Sequence, residues 1–264
     1  MVGPALDREL LVVVDVGNTT TVFGVYRGDD LLASFRLSTD KERTSDEYAG
    51  MLLPLLDRAG VDPAAASSVI VSSVVPPLNS TLSRLSLDLF GRQPMYVEPG
   101  IRTGMPIRYD HPAEVGADRI VNAVAARELY GSPVIVVDFG TATTFDVVNA
   151  AGEYAGGIIS PGILISAEAL FAHASRLYQV DVRRPAELVG RNTASAMQAG
   201  IYYGYIGLVD GILERLLSEL GPVREIVATG GQAELIASGS RYLRKVEPLL
   251  TLTGLKLIHE RNRA

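Results

Sequence analysis

The sequence predicts an α/β protein built from two similar halves. The string Asp15-x-Gly17-x-x-Thr20-Thr21 recurs as Asp138-x-Gly140-x-x-Thr143-Thr144, with every identical position at one constant offset. Each copy follows an aliphatic strand and opens a meander of three strands. Matched motifs with matched flanks read as internal duplication of one α/β domain. The join falls in residues 91–113, an irregular stretch with four prolines and three glycines, which is the composition of a connector. The expected domains are residues 1–115 and 116–264.

Leu10 to Val16 holds six aliphatic residues interrupted only by Asp15 and reads as a buried strand. Residues 21–26 and 31–37 follow as strands around a turn at Arg27-Gly28-Asp29-Asp30. Over 45–59, Tyr48, Met51, Leu52, Leu55 and Leu56 stand at helical spacing, with Ser45 as the expected cap and Gly60 as the stop. Residues 69–75 are β-branched and stop at Pro76-Pro77, and 78–90 return to helical spacing. Beyond the connector, 114–130 read as a helix, 134–137 as a buried strand, and 143–149 and 154–159 as two more. Pro161-Gly162 opens a helix expected to run from Ile163 to about Ser175. A long helix spans 193–220, and a strand at 225–228 leads into Thr229-Gly230-Gly231 and a short helix. The tail ends in an apolar stretch, 249–257. Residues 199–217, with Tyr202, Tyr203 and Tyr205, read equally as core or as interface.

Composition narrows the function. The 264 residues, 47% of them hydrophobic, suffice for two domain cores or one large one. A net charge of -6 argues against broad nucleic-acid contact, which needs clustered Lys and Arg. It does not argue against a nucleotide, because backbone N–H groups and a metal ion can hold phosphates on an acidic protein. The absence of cysteine excludes disulfides, thiolate catalysis and Cys-ligated zinc. The three histidines, His111, His173 and His259, are scattered and show no metal-ligand spacing. The first ten residues carry Asp7, Arg8 and Glu9 and lack the apolar core of a secretory signal. No apolar run approaches the ~18 residues that span a membrane. A soluble, cytoplasmic protein without membrane or nucleic-acid partners is expected.

The duplicated loop has a chemical reading. A strand that ends in Asp-x-Gly and turns directly into a second strand gathers backbone N–H groups at the hairpin tip, a nest for phosphate oxygens. Gly17 and Gly140 allow a ligand to come close. Thr19, Thr20 and Thr21, and in the second copy Thr141, Thr143 and Thr144, add hydroxyl donors. Asp15 and Asp138 would repel phosphate and make sense only with a cation between. Two such hairpins facing one cleft would clamp a polyphosphate from both sides. This arrangement resembles that of the actin-like, sugar-kinase and chaperone ATPase superfamily. The resemblance implies duplicated ribonuclease H-like domains, each a five-stranded mixed sheet with flanking helices. It also implies that Thr229-Gly230-Gly231 lies near the adenosine.

At family level the chain resembles type III pantothenate kinases. Asp15-Val16-Gly17-Asn18-Thr19 is similar to the family's opening phosphate loop, and Gly116-Ala117-Asp118-Arg119 followed by Asn122 to its substrate motif. Asp138-Phe139-Gly140-Thr141-Ala142-Thr143-Thr144 is similar to its second loop. Gly156-Gly157, Pro161-Gly162 and Gly190-Arg191-Asn192-Thr193 complete the pattern in order. The match runs from about Leu10 to Leu257, and nine extra N-terminal residues are the one oddity.

The resemblance implies ATP-dependent phosphorylation of pantothenate to 4'-phosphopantothenate, the first step of coenzyme A biosynthesis. Asp118 would be the general base. Asp15 to Val22 (Asp15, Val16, Gly17, Asn18, Thr19, Thr20, Thr21, Val22) and Thr141 would meet ATP. Tyr109, Gly116, Ala117, Asp118, Arg119 and Thr193 would line the substrate. A potassium or ammonium ion would sit at Asp138, with Mg2+ on the ATP, in a homodimer. The residues agree with that chemistry. Phosphoryl transfer to a hydroxyl needs a carboxylate to accept its proton. Asp118 falls at the first turn of a helix, whose N-terminus favours the ionised form. Arg119 is a suitable fork for a substrate carboxylate.

Three other readings share parts of this pattern. A sugar or acetate kinase would keep the phosphate loops with another substrate motif. A non-enzymatic regulator could dispense with Asp118 or a loop, yet Asp15, Asp118, Asp138 and Thr141 are all present. An actin-like filament protein would carry longer insertions.

Overall fold

A computed structural model describes residues 9–173 and 177–263. Within the first unit, residues 9–105, 110–125 and 251–263 pack together; the second unit comprises 106–109 and 126–250 without 174–176. The division is therefore not one cut in the sequence, because the C-terminal helix belongs with the first unit.

The first unit is built on β1 (Leu10–Val16), β2 (Thr20–Arg27), β3 (Asp30–Ser38), β4 (Ala66–Ser73) and β5 (Met95–Tyr96), in the order β3-β2-β1-β4-β5. β1 runs antiparallel to β2 and parallel to β4, so the sheet is mixed. The helices are α1 (Ser45–Arg58), α2 (Asn79–Phe90), α3 (Ala117–Tyr130) and the C-terminal helix Leu250–Asn262. α3 ends in the second unit. Alternate residues of β1, Leu10, Val12, Val14 and Val16, join Val69 and Val71 of β4 in a core with Tyr48, Leu52 and Leu56 of α1. Period two on the strands meets period four on the helix, and each of these side chains contributes ~1.5–3 kcal/mol when fully buried. The opposite face of the sheet is apolar too, with Val13 and Ile70 fully buried. A central strand covered on both faces needs a nearly continuous aliphatic run.

Local chemistry shifts several expected boundaries. Thr44, not Ser45, caps α1. Its hydroxyl accepts from the Glu47 N–H, and the Glu47 carboxylate accepts from the Thr44 N–H at 2.8 Å, a reciprocal pair that fixes the helix start. α3 begins at Ala117 because Pro112–Glu114 form a separate 3-10 turn. The connector is not wholly irregular, since it contains β5.

The second unit repeats the topology with β6 (Val134–Phe139), β7 (Ala142–Val148), β8 (Tyr154–Pro161), β9 (Glu225–Gly230) and β10 (Lys245–Val246), in the order β10-β9-β6-β7-β8. Here too the first strand is antiparallel to the second and parallel to the fourth. α4 (Ile163–His173), α5 (Thr193–Leu220) and α6 (Ala233–Ala237) complete it, and the C-terminal helix is α7. The expected end of α4 at Ser175 lies outside the described residues, as does the start of the chain before Glu9. α5 places Tyr202, Tyr205, Ile206, Val209 and Leu213 against Val137, Phe139 and Phe145. Tyr202 and Tyr205 are thus core residues, whereas Tyr203 stands on the exposed side. Among the described residues, no helix is long and apolar enough to cross a membrane.

Candidate active site

The two glycine hairpins are similar but not superimposable in register. In the first, Val16 pairs with Thr21, leaving Gly17 to Thr20 as the loop, closed by a Gly17 N–H donating to the Thr20 carbonyl at 3.0 Å. In the second, Phe139 pairs with Thr143, leaving only Gly140 to Ala142, closed by Gly140 N–H to the Ala142 carbonyl at 3.0 Å. The second loop is one residue shorter. The threonine that matches Thr143 by register is therefore Thr21, not Thr20 as the constant sequence offset implies.

This register decides which hydroxyls face outward. Asn18 and Thr19 are exposed, and Asp15 and Thr20 half-buried, while Thr21 is fully buried. In the second hairpin Thr141 is exposed, Thr143 is fully buried, and the Thr144 hydroxyl donates to Asp146 at 2.9 Å. The side chains presented to solvent at the two tips are thus Asn18 and Thr19 in one and Thr141 in the other. Val16 is core and Val22 is half-buried.

Asp118 occupies the first turn of α3, and its surroundings explain the Gly-Ala-Asp-Arg string. Its carboxylate folds back over the helix start, where Oδ1 accepts from the Arg119 N–H at 2.8 Å. The same oxygen lies 2.6 Å from where a Cβ on residue 116 would stand, so only glycine there leaves room for it. Ala117 begins the helix, and the Gly116 carbonyl accepts from the Arg119 and Ile120 N–H groups. Burial pushes the Asp118 carboxyl above the usual carboxylate range, and the Arg119 N–H and charge offset this only in part. The sequence reading has the helix N-terminus holding this group ionised; the structure adds a larger, opposing desolvation. Arg119 is only 7% exposed, and Asn122, also buried, accepts from the Thr251 hydroxyl at 2.8 Å.

In the second unit, Asp138 sits at the end of β6 beside the end of β9. Its Oδ1 lies 2.5 Å, and the Phe139 carbonyl oxygen 2.6 Å, from the point a Cβ on Gly230 would occupy. Gly230 has φ +92°, a backbone that side-chain-bearing residues rarely adopt. Two oxygens therefore border one small cradle that a methyl group would fill. A carboxylate with a backbone carbonyl is a donor set suited to a hard cation. Among the described residues no three His, Asp or Glu side chains gather as a metal cluster, so a cation here would rest on Asp138 and main-chain oxygens. The sequence places Thr229-Gly230-Gly231 near the adenosine; the structure sets Gly230 beside Asp138.

Tyr109 also belongs to the second unit. The segment 106–109 adds to the start of β8, with Arg108 N–H donating to the Tyr154 carbonyl at 2.8 Å and Tyr154 N–H to the Pro106 carbonyl at 2.9 Å. The exposed Tyr109 ring lies 6.4 Å from the buried Tyr154 ring, and the Tyr154 hydroxyl donates to Asp146 at 2.8 Å. Asp146 and Tyr154 escaped the sequence reading; a carboxylate inside the aliphatic strand β7 was the available signal. Thr193 is the first residue of α5, after the cap Asn192, and lines an open apolar surface depression with Leu170, Met197 and Ile201.

The sequence model described as type III pantothenate kinase matches residues 11–215. A type III pantothenate kinase from Geobacter sulfurreducens is 56% identical over 254 residues, covering 96% of this chain and all of that protein. Those from Koribacter versatilis and Myxococcus xanthus are 52% and 54% identical, over 97% of this chain and 97% and 100% of their own length. Among solved structures, a Campylobacter jejuni protein called a Baf family transcriptional activator covers 95% of this chain at a TM-score of 0.57 and 20% identity, with 98% of its own chain covered. Ethanolamine utilization protein EutJ from Carboxydothermus hydrogenoformans covers 94% at 0.52 and 15% identity, with 89% of its own chain covered. These two likenesses speak to the fold alone. Taken with the near-full-length identity to curated relatives, the paired glycine hairpins and the Gly-Ala-Asp-Arg helix start place this chain in the type III pantothenate kinase family.

Proposed function

We propose that the chain transfers the terminal phosphoryl group of ATP to the primary hydroxyl of pantothenate, giving 4'-phosphopantothenate and ADP at the entry to coenzyme A biosynthesis in the cytoplasm. Asp118 is the general base. It accepts the hydroxyl proton as the oxygen attacks the γ-phosphorus and the bond to the β-phosphate oxygen breaks. The observation that carries this is the desolvated Asp118 carboxylate, held by backbone N–H groups at the helix start in a space that Gly116 leaves open. A base whose pKa is raised toward the working pH takes a proton more readily than an ordinary surface carboxylate.

The remaining roles follow the family. Backbone N–H groups at the tip of the first hairpin, within Asp15 to Val22, and the Thr141 hydroxyl bind phosphate oxygens. Arg119, Tyr109, Gly116, Ala117 and Thr193 bind pantothenate, with Arg119 on its carboxylate. Asp138 holds potassium or ammonium, and Asp15 faces the Mg2+ of the nucleotide; these cations supply charge neutralisation for the polyphosphate. A homodimer is supported by apolar side chains exposed on β8 and α4, among them Ile159, Leu164 and Leu170.

Turnover of ATP with pantothenate and Mg2+, compared in potassium and sodium buffers, tests this reading. Potassium-stimulated, pantothenate-dependent ADP release is expected from the parent protein, and none from Asp118→Asn with ATP binding retained. An Asp118→Asn protein as active as the parent would remove Asp118 from the mechanism.

A further inference from the structure

One residue outside every assigned role grips the first phosphate loop at three points. Thr39 follows the end of β3. Its N–H donates to the Thr19 carbonyl at 3.0 Å, its hydroxyl donates to the Gly17 carbonyl at 2.7 Å, and the same hydroxyl oxygen lies 2.8 Å from the Thr21 hydroxyl. A hydroxyl carries one proton. Because the Thr39 proton goes to Gly17, Thr21 must be the donor in the second contact. The direction of each bond is thereby set, and Gly17, Thr19 and Thr21 are tied to one side chain and its own N–H.

The second unit braces the equivalent threonine with a different residue, whose hydroxyl bonds the end of β8 rather than a loop carbonyl. Thr143, the register equivalent of Thr21, is hydrogen-bonded to the Tyr205 hydroxyl, which itself donates to the Pro161 carbonyl at 2.8 Å. Thr143 is again the donor by the same count. Next to Pro161, the Gly162 N–H donates to the Thr141 carbonyl at 3.0 Å, as Thr39 N–H does to Thr19. The brace comes from a residue after the third strand in one unit and from helix α5 in the other. Copying one ancestral side chain does not explain that, whereas a shared need to fix the loop does. Preorganised N–H donors bind an anion without reordering, and a displacement near 1 Å at such a site costs ~10²-fold in rate.

We propose that Thr39 and Tyr205 are positioning residues that hold the two glycine hairpins in their phosphate-binding conformations. This rests on the reading of those hairpins as ATP loops. The test uses Thr39→Val, which keeps shape and removes both hydroxyl bonds, Thr39→Ser, which keeps them, and Tyr205→Phe. ATP binding is measured by calorimetry without pantothenate, together with the KM for each substrate and the melting temperature of the ligand-free protein. The expected result is ATP affinity weakened at least five-fold in Thr39→Val and Tyr205→Phe, with the pantothenate KM within two-fold of the parent and recovery in Thr39→Ser. Parental ATP affinity in Thr39→Val and Tyr205→Phe, even with lowered melting temperatures, would make these bonds structural and overturn the proposal. A parent that binds ATP but ignores pantothenate would sink the acceptor assignment and leave this comparison intact. A parent that fails to bind ATP would overturn both.

Discussion

Replacing Gly116 by alanine should separate catalysis from stability in a single methyl group. The new Cβ would stand 2.6 Å from Asp118 Oδ1 and 3.7 Å from a Val74 methyl group. Ordinary van der Waals contact begins near 3.4 Å, so the carboxylate oxygen must retreat by about 0.8 Å while Val74 stays. The fold hardly resists. The Arg119 N–H that now bonds Asp118 also donates to the Gly116 carbonyl at 3.1 Å, so no donor is orphaned. A side chain forced about 30° off its rotamer costs ~0.5–1.5 kcal/mol. The loss of glycine from the unfolded chain returns ~0.4–1 kcal/mol, since residue 116 has no left-handed backbone. The net change is within ~1 kcal/mol, or ~2–4 °C in melting temperature.

Chemistry is far less tolerant. A general base contributes ~10²–10⁴-fold, and a misplacement near 1 Å costs ~10²-fold. Gly116→Ala should therefore lose about 10²-fold in kcat with ATP affinity unchanged. A coupled ADP-release assay and a thermal melt on the same preparation measure both. A variant with kcat within two-fold of the parent would refute the argument that this glycine exists to place the Asp118 carboxylate. Gly254→Ala is the contrasting control: its Cβ would lie 2.2 Å from the Val121 carbonyl oxygen. There a backbone atom of α3 must move and stability, not kcat, should suffer.

Other outcomes follow from the same contacts. The raised pKa of Asp118 puts the acid limb of the rate–pH profile above the ordinary carboxylate value of 3.8, because the base is lost as pH falls through its folded pKa; a limb at or below that value would contradict the burial. By linkage, a folded pKa above the unfolded one contributes stability that is present below the unfolded value and lost as pH rises through the folded value. Asp118→Asn should therefore melt no lower than the parent at pH 7, and a lower melting temperature would show that the ionised group is a net stabiliser. Gly230→Ala would drive a methyl group to within 2.6 Å of both Asp138 Oδ1 and the Phe139 carbonyl oxygen at φ +92°. Strain of ~1–2 kcal/mol and overpacking of ~1–3 kcal/mol predict a melting loss on the order of 10 °C. Its potassium half-saturation should rise as well, and an unchanged potassium titration would count against Asp138 as the cation ligand. Tyr154→Phe, which removes the bond to Asp146, should raise the pantothenate KM through Tyr109 and leave the ATP KM alone; equal shifts in both would assign Tyr154 to general stability.

The duplicated topology was legible because it is written in backbone chemistry. Aliphatic runs at β1, β4, β6 and β9, each flanked by breakers, specify buried strands whatever they pack against. The two-residue strands β5 and β10 were not, since two residues carry no periodicity. The local geometry of the candidate site was legible where a residue type has few other uses: glycine before Asp118, aspartate at the end of a buried strand. It was illegible where a long-range contact decides the role. Thr20, Thr21, Thr143 and Thr144 look alike in the sequence, and a constant offset pairs them two by two. Register overrides that pairing, because one residue fewer in the second loop turns every following side chain to the other face. Thr21 and Thr143 then fall inward as a pair, and each finds a hydroxyl brought from elsewhere, Thr39 from the end of β3 and Tyr205 from α5. A motif thus marks the loops proposed to meet phosphate. Which of its hydroxyls are exposed is set by pairing and packing that no short string encodes.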